Sequence, residues 1–322
     1  MYGSQDHDGR RGLAVVAEYR RRHLDQAHLG VGVEVGGQVF AVAQLAGQFV
    51  PRSAGGRVVG GEREVGHHAA AIPLLTICRS FGVGVADAME IRRGVLAEHA
   101  GIVAVDRLVK PIIAQRRAEP RNDLISVLVQ AELADDETGQ THRLTDDEVF
   151  IFSFLLLAAG SGTTWKQLGI IMLMLLRDPR WLDRVKDDPD FLGAFIEETM
   201  RWMPTDPFFS RFATQDTSLH GVDIPAGSVV HLCFASANRD PDRWERPDDF
   251  DPERKQLPHM GFGAGSHVCL GQHVARAEIR EAIGALVTRL PGLRLDPAAE
   301  APRITGLYER GPTALPVLWD HI

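Results

Sequence analysis

Three short stretches of this chain bring together residue types that do chemistry. The first is FGAGSHVCLGQH (262–273), which sets Cys269 among glycines just before a helix start. Gly263, Gly265 and Gly271 let the backbone take positive φ and approach a bulky flat group. Free N–H groups and the partial positive charge of a helix start favour a thiolate. His267, two residues earlier, can donate to an anion. A thiolate held this way can serve as an axial haem ligand that promotes O–O cleavage. Two other readings stay open: a structural cysteine at a turn, and a zinc site from His267, Cys269 and His273. The zinc reading lacks a fourth ligand and paired spacing. The second stretch is FIEETMRW (195–202), where Glu198 and Arg201 stand three apart on one helix face. Such a pair means little on a surface. In so apolar a helix it points to a buried network that Arg254 can complete. The third is AGSGTT (159–164) inside an apolar helix. Two glycines there cost about 1 kcal/mol each against alanine. Either the helix widens to admit a small ligand beside the Thr163 hydroxyl, or small residues let another helix pack close.

The surrounding pattern shows what must position these residues. Residues 106–132 have a helical pattern with a break around Pro120. Thr145 and Glu148 form a capping box, and the helix that follows (149–176) is apolar nearly all round, so it is central and buried. Asp178-Pro179 ends it. A helix from about Pro189 carries Glu198 and Arg201. Residues 210–232 read as strands broken at His220-Gly221 and at 225–227. The proline- and charge-rich run 238–255 reads as a long ordered meander or a surface loop, and Gln272 to Leu290 as an amphipathic helix on Ala275, Ile279, Ile283, Leu286 and Leu290. A β-hairpin is expected at 303–319. Before this, 31–50 could form strands and 52–68, with His67 and His68, reads as loop. Helix dominates, with a smaller β portion.

Bulk composition narrows the class. The 322 residues are 44% hydrophobic and 24% charged, ordinary for a globular chain. A net charge of −8 argues against general nucleic-acid binding. Cys78, Cys233 and Cys269 are too sparse for a disulfide framework, which favours a reducing compartment. The polar first residues lack a signal-peptide core. The apolar run 149–160 is too short to span a bilayer. A soluble, cytoplasmic, monomeric protein is the expectation. The first 100 residues hold 16 of the 32 glycines but 2 of the 18 prolines, a composition break near residue 104.

In order and spacing, the three stretches resemble the cytochrome P-450 haem-thiolate monooxygenases. FGAGSHVCLG matches that family's haem loop at Phe262, Gly265, His267, Cys269 and Gly271. ETMR matches its Glu-x-x-Arg, and AGSGTT its oxygen-activation helix at Ala159, Gly160 and Thr163. NRDP (238–241), FDPER (250–254), DIPAG (223–227) and LPV (315–317) fit lesser landmarks. The resemblance implies a mainly α fold with a smaller β portion, in which 105–322 form the haem-thiolate core. It makes Cys269 the ligand of a haem b iron, with Phe262 and Gly263 beside the haem and Arg211 and His267 on its propionates. Glu198, Arg201 and Arg254 become a structural brace. Leu156, Ala159, Gly160, Phe208, Leu307 and Tyr308 become the lining for a small apolar organic substrate.

The implied reaction inserts one oxygen atom from O2, with electrons from NAD(P)H passing through a separate ferredoxin and ferredoxin reductase. Arg276 and Arg280 are candidate docking cations. The family usually has an acid immediately before the threonine, and here Gly162 stands there. The expectation is a relay through Thr163, Thr164 and ordered water, tightened by Gly162→Asp. A peroxide-driven oxygenase or a haem isomerase would need no such relay. Residues 1–104 match nothing in the family and read as a divergent, truncated or frame-shifted stretch. A truncated, non-catalytic chain is therefore a further alternative.

Overall fold

The computed structural model describes residues 64–84, 87, 88, 90, 91, 99–134 and 139–320. The strands expected within 31–50 lie outside them. The chain divides into two compact units. The first draws its described residues from 71–161, and the second mainly from 162–320.

In the first unit, α1 (Glu64–Ser80) contributes Leu74, Leu75 and Cys78 to the core. It begins at Glu64, so His67 and His68 lie in a helix rather than in the loop expected over 52–68. Next come α2 (His99–Ala118) and α3 (Leu124–Gln130). The break falls where expected, because α2 stops just before Pro120. Asp123 restarts the chain as an N-cap, its side chain accepting from the Ser126 N–H at 2.8 Å. Arg116 and Asp123 form a buried ion pair, with side chains 3% and 6% exposed. Strands β1 (Glu132–Ala134) and β2 (Thr141–Arg143) pair antiparallel.

Helix α4 (Asp146–Arg177) follows. The capping box forms as its sequence dictates. The Glu148 N–H donates to Thr145 Oγ1 at 3.2 Å, and Glu148 Oε2 accepts from the Thr145 N–H at 2.8 Å. Three acids in the first turn oppose the helix dipole favourably. The apolar run at 149–160 is only part of this helix. At 32 residues, α4 is the one helix among the described residues that is long and apolar enough to cross a bilayer, by length and composition alone. Its C-terminal half is protein core, with Ile170, Ile171, Leu173 and Leu175 at most 1% exposed.

In the second unit, α5 (Pro179–Asp187) and α6 (Pro189–Trp202) each start with an aspartate cap followed by proline at the first turn. Trp181 stacks on Phe191 at 5.7 Å, and α8 (Gln272–Arg289) packs on both helices through Ile279, Ala282, Ile283 and Val287. Strands β3 (Phe209–Phe212) and β6 (Val229–Leu232) pair antiparallel, and between them β4 (Thr217–Leu219) and β5 (Val222–Ile224) form a hairpin. Its turn is His220-Gly221, both at positive φ (48° and 79°), which is the two-residue turn that matches strand twist. The short helix α7 (Phe234–Ala237) leads into the 238–255 meander. Strand β7 (Arg294–Leu295) pairs with β10 (Val317–Leu318), so the C-terminal hairpin of β8 (Ile304–Thr305) and β9 (Gly311–Pro312) is shorter than the 303–319 expected.

Candidate active site

The cysteine loop is built from two short 3₁₀ turns, Met260–Phe262 and Gly265–His267. Gly263 and Gly265 both sit at φ 71°, where a side chain would be strained. The loop closes on itself, with the Cys269 N–H donating to the Phe262 carbonyl at 2.8 Å. Helix α8 begins three residues later, and the Gly271 N–H points at the Cys269 sulfur. Burial pushes this thiol above its ordinary range, and neither that N–H nor the Arg276 charge reverses the shift. The helix start alone therefore does not make a thiolate. A metal cation does, because a coordinating thiol is deprotonated outright.

The residues present fit a large flat apolar group with two carboxylates. A Cβ at Gly265 or Gly271 would meet nothing within 4 Å. Val268 and Leu270, on either side of Cys269, remain exposed. Arg211 and His267 are also exposed, and among the described residues neither is paired with a protein carboxylate. No three His, Cys, Asp or Glu side chains among the described residues come together as a metal cluster, so His267, Cys269 and His273 do not assemble a zinc site.

Glu198 and Arg201 are 0% and 1% exposed. Arg201 donates twice to Glu198, both at 2.8 Å, and also to the carbonyls of Asn238, Pro247 and Asp249. Arg254 donates to Glu198 Oε1 at 3.1 Å and to the carbonyls of Glu245, Arg246 and Asp249. The Asp251 N–H adds a further bond to Glu198. These three side chains therefore pin the 238–255 meander, which has almost no regular hydrogen bonding of its own. From the meander, Asn238 Oδ1 accepts from the Met260 N–H at 2.6 Å, tying it to the cysteine loop.

A second network lies on the other side of that loop, and sequence reasoning did not identify it. Glu197 takes two hydrogen bonds from Arg276, at 2.6 and 2.8 Å, and contacts His259 Nε2 at 3.1 Å. The Arg276 guanidinium lies 4.3 Å from the Phe262 ring centre, and His259 stacks on the same ring. Burial pulls Glu197 toward its neutral form, but Arg276 and His259 outweigh it and hold the carboxyl down at about 2. Arg276 is thus engaged in the loop network and still 31% exposed, while Arg280 is exposed. The available signal was the Glu197-Glu198 pair: adjacent helical residues point about 100° apart, so each can serve a different network.

The expected substrate residues divide by unit. In the second unit, Phe208 and Tyr308 come together with ring centres 4.6 Å apart, and Tyr308 Oη is 3.1 Å from Ser210 Oγ. Leu307 is 68% exposed. In the first unit, Leu156, Ala159 and Gly160 lie on α4. The helix is α throughout, so the widened turn expected at Gly160 is absent. Gly160 instead allows close packing, because a Cβ there would overlap the Ile77 side chain of α1.

Thr163 is half-buried and Thr164 is buried at 7% exposure. Beside them, Gly162 adjoins an acid brought from elsewhere in the chain. A Cβ at Gly162 would lie 2.6 and 2.9 Å from the two carboxylate oxygens of Glu309. Gly162→Asp would therefore force two carboxylates together instead of adding a missing one.

The sequence matches the model of the family "Cytochrome P450" over residues 96–291. It is 36% identical to "Cytochrome P450 105C1" of Streptomyces sp over 79% of this chain and 68% of that protein. It is 34% identical to "Mycinamicin IV hydroxylase/epoxidase" of Micromonospora griseorubida, over 78% of this chain and 65% of that protein. The chain thus spans about two thirds of the length of these relatives. Its fold is similar to that of cytochrome P450 CYP109Q5 from Chondromyces apiculatus, with a TM-score of 0.77 and 26% identity over 98% of this chain and 76% of that one.

Proposed function

This chain belongs to the cytochrome P450 family, and we propose that it is a haem-thiolate monooxygenase acting on an apolar organic substrate. The observation that carries this reading is the closed glycine loop that presents the Cys269 sulfur at the start of α8. Bound haem b would supply dioxygen activation, placing one oxygen atom in the substrate and the other in water. The chain's own residues do the rest. Cys269 would be the iron ligand, with Phe262 and the loop glycines against the ring. Arg211 and His267 would each neutralise a propionate, since a buried carboxylate needs a cationic partner. Glu198, Arg201 and Arg254 hold the meander, and through it the cysteine loop, in place.

Phe208, Leu307 and Tyr308 present apolar surface for substrate. On α4, Leu156, Ala159 and Gly160 precede Thr163 by seven, four and three residues, spacings that recur along one side of a helix. Residues 105–322 form the haem-thiolate core. Electrons would come from NAD(P)H through a ferredoxin and its reductase, with Arg280 as a docking cation, and the protein would work as a cytoplasmic monomer. The deciding measurement is the absorption spectrum of the reduced protein with carbon monoxide. A red-shifted thiolate-type Soret band is expected, and its absence would overturn the reading. The glycine at position 162 favours a second reading, a peroxide-driven oxygenase. Turnover with hydrogen peroxide, and none with NADPH and a ferredoxin system, would establish that instead.

A further inference from the structure

Position 162, where the family usually carries an acid, lies against a carboxylate brought from elsewhere in the chain. Glu309 belongs to the C-terminal hairpin, 147 residues away in sequence. Its two oxygens fall 2.6 and 2.9 Å from where a Gly162 Cβ would stand, one residue from Thr163. The close approach has a packing cause. Gly162, Lys166 and Gly169 follow one another at helical spacing on α4 and meet the hairpin. A Cβ at Gly169 would come within 2.9 Å of Pro312, and one at Gly311 within 3.1 Å of Lys166. A side-chain acid at 162 would have to displace the Glu309 carboxylate.

The hairpin holds Glu309 firmly. Its N–H donates to Asp206 Oδ1 at 2.8 Å, and its φ is 47°, a conformation that ordinary residues keep only when their surroundings enforce it. Next to it, Arg310 and Thr205 exchange hydrogen bonds at 2.8 Å, and Thr205 is tied to Gln167 of α4. Lys166 Nζ lies 3.2 Å from Glu309 Oε2 and balances its charge. Glu309 also lines a cleft of about 230 Å³ with Trp165, Lys166, Thr305 and Tyr308. One carboxylate therefore faces solvent, with its side chain 42% exposed, and also reaches the helix beside Thr163.

We propose that Glu309 replaces the missing helix acid and passes solvent protons to Thr163. This inference rests on the monooxygenase reading. Inserting one oxygen atom consumes two electrons from NAD(P)H and two protons, and leaves one water. Each proton enters at a Glu309 carboxylate oxygen from the cleft. It leaves through water to the Thr163 hydroxyl, and the carboxylate is reprotonated from the cleft. The charged groups facing Glu309 are Lys166 from α4 and Asp206, whose burial favours its neutral form and whose bond from the Glu309 N–H opposes that. Arg310 is the neighbouring charge in the hairpin.

The test uses the haem-loaded protein with a surrogate ferredoxin and reductase, NADPH, and testosterone as the probe. Glu309→Gln should lower NADPH oxidation about 100-fold, the low end of what a positioned proton-transfer group contributes. It should also enlarge the rate difference between H2O and D2O, while the carbon monoxide spectrum and the testosterone dissociation constant stay as in the parent. Glu309→Asp should recover part of the rate. Gly162→Asp alone should slow the enzyme, and Gly162→Asp combined with Glu309→Gly should be faster than Glu309→Gly alone. As a readout without turnover, the melting-temperature losses of Lys166→Met and Glu309→Gln should be less than additive in the double variant. Parental rate and isotope effect in Glu309→Gln would overturn the relay, as would a loss confined to testosterone binding. A parent without the thiolate band would overturn the monooxygenase reading, and the relay with it. A normal band with an unaffected Glu309→Gln would overturn the relay alone.

Discussion

Two acids of the second unit meet basic partners in contrasting ways. Glu198 is fully buried with Arg201 and Arg254, which are 1% and 8% exposed, and the three share at least nine hydrogen bonds with one another and with meander carbonyls. Glu309 and Lys166 are 42% and 26% exposed and share one contact of 3.2 Å. The first network is saturated. Its members cannot change charge or position without leaving a buried ion unpaired, so it can only hold a shape. The second is thinly bonded and open to water. A group that gains and loses a proton in each cycle needs that access. On the relay proposal, the fold separates holding from exchanging.

The largest effect should come at the loop that the saturated network supports. Cys269→Ser should remove the thiolate-type carbon monoxide band completely, because hydroxyl oxygen does not replace the sulfur ligand. The spectrum reads this directly, and a retained band would mean that another residue is the ligand. Next in size is Arg201→Met. Removing one member of a buried pair typically costs about 3–5 kcal/mol. Urea unfolding should show that loss together with weaker haem retention, and a cost under about 1 kcal/mol would erase the contrast between the networks.

Glu197 stands between the two extremes, since its side chain is 27% exposed but held by Arg276 and His259. Its carboxyl is depressed in the folded state from an ordinary 4.5 to about 2. The folded state therefore prefers the charged form. The resulting stability is fully present above about pH 4.5 and is lost as pH falls toward 2. That difference amounts to about 3 kcal/mol. Glu197→Gln should lower stability by this order at neutral pH and converge on the parent near pH 2. Urea midpoints compared across that range measure it, and a pH-independent difference would show that the carboxylate is not the source.

The contrast between these networks also marks what could be read from residue order. The Glu198–Arg201 pair was legible because helical spacing makes it local and an apolar helix around charge implies burial. The turn-rich loop around Cys269 was legible because glycines and a helix start are local too. The hairpin, the capping box at Thr145 and the caps at Asp178 and Asp188 follow from short-range rules. Glu309 was not legible. Its meeting with Gly162 is a tertiary contact between distant segments, and Glu309 itself lies in an exposed-looking YERG turn. Gly162 alone looked like a loss, whereas the structure shows it as the space that a remote side chain fills. Gly160, the same signal in the same helix, left a widened turn and close packing both open, and its Cβ position meets Ile77. The Glu197–Arg276–His259 network was missed because its partners come from three separate segments.

The smallest effect separates the two networks most cleanly. Lys166→Met removes the only cation that contacts Glu309 directly among the described residues, yet both side chains reach water. Exposed ion pairs contribute about 0–1 kcal/mol, because water solvates each charge when the other is removed. The methionine also keeps much of the apolar stem that packs near Gly311. The unfolding free energy from urea titration should therefore fall by less than about 1 kcal/mol, several-fold less than for Arg201→Met. Haem content and the carbon monoxide spectrum should not change. A loss as large as that of Arg201 would mean that Lys166 and Glu309 also form a buried brace. In that case a carboxylate free to exchange protons would not fit this position, and the division between holding and exchanging would fail at the point where it is most exposed to test.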